Sequence, residues 1–505
     1  MENPRKWERR EEIQPGLRGL NRKKSGRRRG AGGCQSRKGR IFMKKMLSLL
    51  LAAAIMLTLA SCSGGDSQSQ ASGGEASTGE SSSSAQSSQG EDSQRPDSIK
   101  FWSGYTQESR INAMTAIAER YQAETGTAVE MEVIPWGSQA EKWRTAFAAN
   151  ELPAAMTTLT DQVMYMHLAE ATVPLDDIVE NLGGKDAFME GALASDLYNG
   201  EYVAIPHYAH CRLLYYRKDL LEAAGVTLPD KPTPEEIIAA AAAVTDPGKN
   251  QYGFVQCFKP SDETSPYWLD IFMKYHGADW FDGNNKVIFN SPETVEAVND
   301  MVELYQKASV EGAMDYGDSD LFTLFTTGVT AMTFQSGFLP NNIIADNEAL
   351  LEKVGVCASP GWMLGVINLV VFDNESTEYG KEFVEFLYRE DNYMELINTI
   401  TPGQTPVLLK YLEDDSTYWQ HENFTGKYAD LMMKTAELNA EGCAEGTFPG
   451  TTEGLTIATV SVSASGIIQE MFADILVNGT DTQTAVANAA EKLQKYIDDL
   501  VKSEQ

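Results

Sequence analysis

The stretch SIKFWSGYTQESRINAMTAIAERYQAETGTAVEMEV, residues 98–133, decides the fold class of this chain. Residues 99–102 are typical of a strand, and residues 110–123 carry apolar side chains at helical spacing. Gly126 ends that helix, residues 129–134 alternate as a second strand, and a further helix is predicted over 139–149. This β-α-β-α order predicts an α/β fold with a mainly parallel sheet and helices on both faces.

The same alternation continues further along the chain. A short helix predicted over residues 218–224 is stopped by Gly225. Thr233 is placed to cap the next helix, and Glu236 three residues later completes a capping box. Later helices are predicted over 292–306, 379–388 and 482–501.

The chain begins with segments that do not belong to this domain. Residues 1–42 contain 14 Lys and Arg against 4 Asp and Glu, and Met43 then begins MKKMLSLLLAAAIMLTLASC. Two lysines, a short apolar run and small residues before a cysteine are typical of an export signal. The segment 59–62 resembles a lipoprotein lipobox, which makes Cys62 the predicted lipidation site. The alternative is an ordinary membrane anchor.

Three boundaries follow from this pattern. We interpret residues 1–42 as upstream sequence from a misassigned start, 43–61 as a signal peptide, and 62–97 as the lipidated cysteine with a disordered Ser/Gly-rich tether. The alternative for residues 1–42 is a basic arm that binds nucleic acid. The formal net charge of −31 for the whole chain argues against nucleic acid as a partner.

Four cysteines remain after the signal, at positions 211, 257, 357 and 443. They permit three complete pairings, and spacing does not choose between these and buried free thiols. No C-x-x-C, G-x-x-x-x-G-K-[ST], H-E-x-x-H or G-x-S-x-G motif occurs in the sequence. The sequence therefore predicts no cofactor and no metal site, and it favours a binding protein over an enzyme.

Three segments carry a family resemblance: YNGEYVAIP (198–206), LYYRKDL (214–220) and FTTGVTAM (325–332). In their order and spacing they resemble extracellular solute-binding proteins of ABC importers, of the maltodextrin-binding type. Arg217 stands where that family usually has asparagine. The resemblance runs from about residue 98 to residue 502.

The resemblance implies a two-lobed α/β fold of the periplasmic-binding-protein type (type II), with discontinuous lobes, hinge crossings and a central cleft. It divides the chain into lobe 1 (98–210 plus 366–440) and lobe 2 (211–365 plus 441–505). Crossings between the lobes are expected near 205–212, 361–368 and 440–449. Closure about such hinges is the usual response to a ligand.

The candidate ligand contacts share either an aromatic face, which suits the C–H face of a sugar, or a group that pairs with hydroxyls. They are Trp102, Tyr105, Asp161, His210, Tyr267, Trp268, Ser336, Phe338 and Trp362. Alternatives remain for three of them. Trp102 is equally suited to a core position and Asp161 to a helix cap, while His210 with His207 suits structural burial or, less well, a metal.

The function implied is that of a monomeric lipoprotein at the outer face of the bacterial cell membrane. It captures a carbohydrate, expected to be an oligosaccharide, and delivers it to the permease subunits of an ABC importer. One alternative is a surface-anchored enzyme that acts on carbohydrate. The other is the same carrier for a different small polar solute, such as a polyol or a sugar phosphate.

Overall fold

The computed structural model describes residues 95–504 apart from 261, 263 and 453. The predicted upstream extension, the signal peptide, Cys62 and nearly all of the tether lie outside these residues. Among the residues described, none of the helices combines the length and the apolar character needed to cross a bilayer.

The strands of the described part form one large sheet and one small hairpin. They are β1 (Ser98–Ser103), β2 (Ala128–Val133), β3 (Ala155–Leu159), β4 (Leu197–Tyr198), β5 (Glu201–Tyr202), β6 (Ile205–Arg217), β7 (Tyr252–Phe254), β8 (Thr330–Ser336), β9 (Val354–Cys357), β10 (Leu364–Val371) and β11 (Thr405–Pro406).

The helices surround this sheet. They are α1 (Glu108–Thr125), α2 (Trp136–Ala149), α3 (Thr160–Leu168), α4 (Asp176–Asn181), α5 (Glu190–Ala194), α6 (Lys218–Ala223), α7 (Pro234–Val244), α8 (Thr264–His276), α9 (Pro292–Ala308), α10 (Asp318–Thr326), α11 (Leu339–Leu351), α12 (Thr377–Leu387), α13 (Glu390–Asn398), α14 (Ala429–Glu445), α15 (Val460–Ala464), α16 (Ile467–Leu476) and α17 (Thr482–Glu504).

The large sheet has the order β2-β1-β3-β10-β6-β8-β7, with β9 and β11 also paired to β6. The pairs β1–β2, β1–β3 and β7–β8 near its two ends are parallel. The central pairs β3–β10, β10–β6 and β6–β8 are antiparallel. The prediction of a mainly parallel sheet is therefore wrong for the centre, because the quoted β-α-β-α stretch reports only the end of the sheet that it forms.

Strand β6 joins the two halves of the molecule. Its first part pairs with β10, up to Cys211 opposite Leu364, and its second part pairs with β8 from Arg212 onward. A bridge between Met363 and Thr447 lies beside this point. Segments from all three predicted crossings therefore meet here, as a two-lobed fold with discontinuous lobes requires. The finer lobe boundaries stay a prediction.

Local sequence signals place several elements as predicted. Thr233 Oγ1 accepts a hydrogen bond from the Glu236 amide (3.2 Å), and Glu236 Oε2 accepts one from the Thr233 amide (2.9 Å), which completes the capping box before α7. Asn199 and Gly200, with φ of 52° and 91°, form the tight turn of the β4–β5 hairpin. These signals act within a few residues, so sequence alone reveals them.

Buried apolar side chains form three clusters. The largest packs the sheet at β1, β6 and β10 against α1, α12 and α13, and the second packs β7 and β8 against α7, α8 and α9. The third is smaller and joins Trp102 and Met164 to Ile457 and Val460, which are about 300 residues later in the chain. Its apolar burial holds the segment before α15 against α3.

Candidate functional site

His210 lies on β6 just before this strand changes partners. Its ring covers the backbone of Gly365, since a Cβ at that glycine would come within 2.3 Å of the His210 ring. The ring centroid lies 5.8 Å from that of Phe338, which follows β8. His210 Nδ1 is buried and has no hydrogen-bond partner within the protein. The predicted contacts His210 and Phe338 are therefore neighbours.

The imidazole of His210 is held in its neutral form. Burial, together with the positive charges of Arg212 and Arg110, lowers the pKa of His210 to about 3. A neutral imidazole offers one N–H donor and one nitrogen acceptor. Such a group is suited to a hydroxyl, which can also donate and accept.

Arg212 lies two residues further along β6, opposite Ser336 of β8. Its Nη1 donates to Gln335 Oε1 (2.5 Å) and lies 3.6 Å from Asp318 Oδ1. Gln335 Nε2 donates to the same Asp318 oxygen at 3.1 Å. The Nε–H of Arg212 is buried and unpaired. Since alternate residues of a strand share a face, His210 and Arg212 point to the same side of β6.

Asp161 lies in the first turn of α3, directly after β3. Helix α3 begins at Thr160 with Leu159 at the cap position, so Asp161 is not the capping residue. Its Oδ2 accepts hydrogen bonds from Gln162 Nε2 and from Ser463 Oγ, both at 3.2 Å. Its Oδ1 is buried without a partner, and burial raises the pKa of the Asp161 carboxyl.

One strand, β10, lies between the strand that precedes α3 and the strand that carries His210. Leu159, at the end of β3, pairs with Ile367 of β10, which pairs in turn with Tyr208 of β6. Asp161 follows Leu159 by two residues, in α3, and His210 follows Tyr208 by two residues on β6. Both residues therefore lie toward the same end of the sheet, on either side of β10.

Tyr105 supports the crossing from within the fold. Its hydroxyl is hydrogen-bonded to His207 Nδ1 (2.8 Å), and the Arg110 guanidinium lies 3.5 Å from its ring centroid. The side chain is fully buried, and burial raises the pKa of Tyr105 well above its usual value. Tyr105 contacts His207 and Tyr208, which precede His210 on β6. A direct ligand contact for Tyr105 stays a prediction.

Four predicted aromatic contacts lie in packed interiors and are not brought to His210. Trp102 packs in the third cluster with the Lys142 ammonium 5.0 Å from its ring, and Tyr267 packs against Phe448 at 5.7 Å. Each is less than a tenth exposed. This burial favours the core alternative for Trp102, while ligand contacts for both residues stay untested.

Trp268 and Trp362 are buried in the same way. The Trp268 ring lies 5.6 Å from the rings of Phe254 and Phe334, although its Nε1 has no hydrogen-bond partner. Trp362 Nε1 donates to Glu445 Oε2 at 3.2 Å. The described contacts of both tryptophans are those of packing residues, and a ligand contact remains a prediction for each.

The described geometry does not support a metal site at His207 and His210. The Nδ1 of His207 is hydrogen-bonded to the Tyr105 hydroxyl, and His207 lies at the register shift in the pairing of β6 with β10. Nowhere in the described ranges do three or more His, Cys, Asp or Glu residues group as metal ligands.

Sequence reasoning missed Arg212 and Gln335. Arg212 could have been found from the two-residue alternation with His210 on a strand, which places both on one face. Gln335 had no signal of its own, because its role depends on β8 pairing with β6. Ser336 was predicted and lies opposite Arg212 in that pairing.

These features define a class: a two-lobed binding protein whose lobes are joined by a shared crossing strand, with unpaired buried polar groups at the crossing. The family profile described as bacterial extracellular solute-binding protein matches residues 106–394, and the chain belongs to this family. Its members are binding proteins rather than enzymes.

Known relatives and solved structures agree with this assignment. A mannitol-binding protein of Pseudomonas aeruginosa is 29% identical over 133 residues, which are 26% of this chain and 30% of that protein. An arabinooligosaccharide-binding protein of Halalkalibacterium halodurans is 21% identical over 46% of this chain and 54% of its own length. An ABC transporter solute-binding protein of Thermotoga lettingae, solved with α-D-tagatose, shares the fold with a TM-score of 0.66 at 20% identity, covering 80% of this chain and all of that one.

Proposed function

We propose that this protein captures a neutral carbohydrate at the crossing between its lobes and delivers it to the permease of an ABC importer. The family assignment supports the importer role. One observation supports the chemistry of the ligand: Asp161 Oδ1, His210 Nδ1 and Arg212 Nε are buried near the crossing, and each lacks a hydrogen-bond partner. An unpaired buried polar group costs about 1–3 kcal/mol, which a bound hydroxyl would remove.

The hydrogen-bonding capacity of these groups suits a polyhydroxylated ligand. Asp161 accepts, Arg212 donates, and the neutral His210 does both. Phe338, half-buried beside His210, supplies a flat apolar face for the C–H side of a sugar ring. A net affinity in the micromolar range needs about 8 kcal/mol, which a few such contacts can supply together.

The size of the solute is the finer part of the proposal. We expect an oligosaccharide, and the arabinooligosaccharide-binding relative supports that choice. The mannitol-binding relative supports the alternative of a polyol. Both ligand classes present neighbouring hydroxyls, so the same three polar groups serve either.

The setting of the protein is also proposed. Lipid on Cys62 would hold it at the outer face of the cell membrane, and the segment 62–97 would act as a tether. The protein would act as a monomer, with lobe 1 formed by 98–210 plus 366–440 and lobe 2 by 211–365 plus 441–505. It would act without catalysis, since transfer to the permease requires an intact solute.

A thermal-shift screen tests this proposal. The purified protein is mixed separately with D-mannitol, D-tagatose, maltose and arabino-oligosaccharides, and a ligand that binds only the folded state raises Tm. Chromatography of each mixture after long incubation tests for products. A rise in Tm without products supports the carrier. Release of shorter sugars would support the enzyme alternative, and no shift with any of these compounds would contradict the carbohydrate assignment.

A further inference from the structure

Two cysteines lie together at the crossing. The backbone amide of Cys211 on β6 donates to Asn439 Oδ1 at 2.7 Å, and Cys211 Sγ lies 3.7 Å from the Leu438 carbonyl oxygen. A Cβ at Gly442 would come within 2.5 Å of Cys211 Sγ. Cys443 follows Gly442 and lies one helical turn beyond Asn439 on the same face of α14. Cys211 therefore packs directly beside Cys443.

Both thiols are fully buried in the largest apolar cluster. Burial raises the pKa of the Cys211 thiol well above its usual value, and the adjacent Cys443 raises it further. Such an effect of Cys443 on Cys211 is what two side chains in contact produce. In the described residues both cysteines are free thiols.

Both cysteines lie in segments that are predicted to cross between the lobes. Cys211 is the last residue of β6 that pairs with β10 before the strand turns to β8. Cys443 lies near the end of α14, four residues before Thr447, whose bridge to Met363 belongs to another crossing. A bond between the two sulfurs would therefore fasten two of the three crossing segments to each other.

We propose that Cys211 and Cys443 are a redox-active pair that forms an intramolecular disulfide between two of the crossing segments when the chain meets a disulfide oxidant. This inference goes beyond the proposed function and does not depend on the identity of the solute. It requires only the oxidising conditions that secreted proteins meet.

The disulfide would form by thiol–disulfide exchange. The thiolate of one cysteine attacks an external disulfide and releases one thiolate from it. The second cysteine then attacks the mixed disulfide and releases the other. Two protein thiols are oxidised, one external disulfide is reduced to two thiols, and the two protons pass to the released thiolates. Because both thiols are buried, exchange proceeds while the chain folds or opens locally.

The other two cysteines provide matched controls. Cys357 Sγ donates to the Leu214 carbonyl oxygen, and Cys257 Sγ lies 3.9 Å from Asp262 Oδ1. Both are buried in the second apolar cluster, away from Cys211. Substituting Cys357 removes a buried thiol without touching the proposed pair.

The test refolds the purified protein from urea in oxidised glutathione, alkylates the remaining thiols and maps the peptides by mass spectrometry. We expect a bridged peptide pair that contains Cys211 and Cys443. The bridge closes a long loop, so the oxidised protein should melt roughly 3–6 °C above the reduced protein. Slower hydrogen exchange is expected over residues 208–214 and 438–447.

Cysteine variants distinguish a disulfide between Cys211 and Cys443 from a general effect of oxidation on the protein. Cys443→Ser should abolish both the bridged peptide and the redox dependence of Tm, whereas Cys357→Ser should retain them. Cys211→Ser repeats the test from the other side should Cys443→Ser fail to fold. Free Cys211 and Cys443 after refolding, or a bridge from either of them to another cysteine, would overturn the proposal. A negative solute screen would leave this result unaffected.

Discussion

Two sets of buried polar groups differ in how many of their atoms lack a nearby partner within the protein. In the first, Lys274 Nζ lies 3.0 Å from Asp270 Oδ2 and donates to the Thr447 carbonyl oxygen at 2.6 Å. Trp280 Nε1 donates to the other Asp270 oxygen at 2.7 Å. This anchor cluster ties α8 to the third crossing. Asp270 Oδ2 accepts no hydrogen bond, but it lies within ion-pair distance of the Lys274 ammonium, so the charge of the carboxylate is matched within the protein.

The second set consists of Asp161, His210 and Arg212, the groups of the proposed site, and is called the site cluster below. Each of these residues has one buried atom without a hydrogen-bond partner. Both clusters are shielded from water, so the difference does not arise from exposure. Pairing within the protein contributes to stability, whereas an unpaired buried group costs free energy until a partner arrives. Mutations in the anchor cluster should therefore lower folding stability, whereas mutations in the site cluster should weaken ligand binding.

The largest effect is expected at Lys274. Lys274→Met leaves Asp270, which is 1% exposed, without its cation, and should lower the free energy of unfolding by about 3–5 kcal/mol. Urea unfolding followed by tryptophan fluorescence measures this. The control Lys307→Met removes an exposed i,i+4 ion pair with Glu303 and should cost about 0.5 kcal/mol or less. Equal losses for both variants would contradict the importance of pairing in the anchor cluster.

Asp161→Asn tests the other side of the comparison. It should weaken carbohydrate binding about 5–50-fold, because the substitution replaces one carboxylate oxygen, which can accept a hydrogen bond from a hydroxyl, with an NH2 group, which donates. Folding stability should fall little, since burial already disfavours the charged form of Asp161. Titration calorimetry with whichever sugar raises Tm measures the affinity. Asp177→Asn, at an exposed ion pair with Lys381, is the matched control and should bind normally.

A further buried carboxyl is that of Asp196, whose effect on folding stability should depend on pH. It is fully buried, neither carboxylate oxygen has a partner, and burial raises its pKa well above the usual value. A raised folded-state pKa means that stability is fully present below the unfolded-state pKa near 4 and is lost as pH rises through the folded-state pKa. Asp196→Asn removes this loss, so the stability of the variant relative to wild type should increase as pH rises between the two pKa values, by about 1.4 kcal/mol for each pH unit.

Unfolding measured at pH 4 and pH 7 provides the check for Asp196. Asp177→Asn, an exposed carboxylate, should show no such pH-dependent gain. A constant difference between Asp196→Asn and wild type at both pH values would mean that Asp196 does not carry the raised pKa.

The smallest effect is expected at Thr233, where a fully paired polar group lies at the surface. Thr233→Ala removes the capping box of α7 and should cost about 1 kcal/mol. Thr233→Ser keeps the hydroxyl and should restore most of that stability. Thermal unfolding of wild type, Thr233→Ala and Thr233→Ser measures these losses. A loss for Thr233→Ala as large as that for Lys274→Met would show that hydrogen-bond pairing contributes equally to stability with and without burial.

Much of the fold could be predicted because its signals are local. The helices α1, α7 and α17 follow from apolar spacing and from caps within a few residues, as at Thr233 and Gly126. The direction of the central strands could not be predicted in this way. Strand β10 lies between β3 and β6, and this pairing joins residues that are more than 150 positions apart.

Part of the candidate site was predictable for the same reason. His210 and Phe338 stand in segments that resemble the family, and the structure brings them into contact. The aromatic residues Trp102, Trp268 and Trp362 have the same chemical suitability, yet they are buried in the core. Residue type indicates what a side chain can bind, but only packing decides whether it faces a cleft.

The expectation of an export signal before residue 62, the alternation of strands and helices, the helix caps and the family resemblance all rest on neighbouring residues, so they could be drawn from the sequence alone. The tertiary structure determines which polar atoms stay unpaired, which cysteines meet and which strand crosses between the lobes. Those properties arise from contacts between distant segments. The free energy of such a contact depends on burial and partner geometry, and neither is written in local sequence.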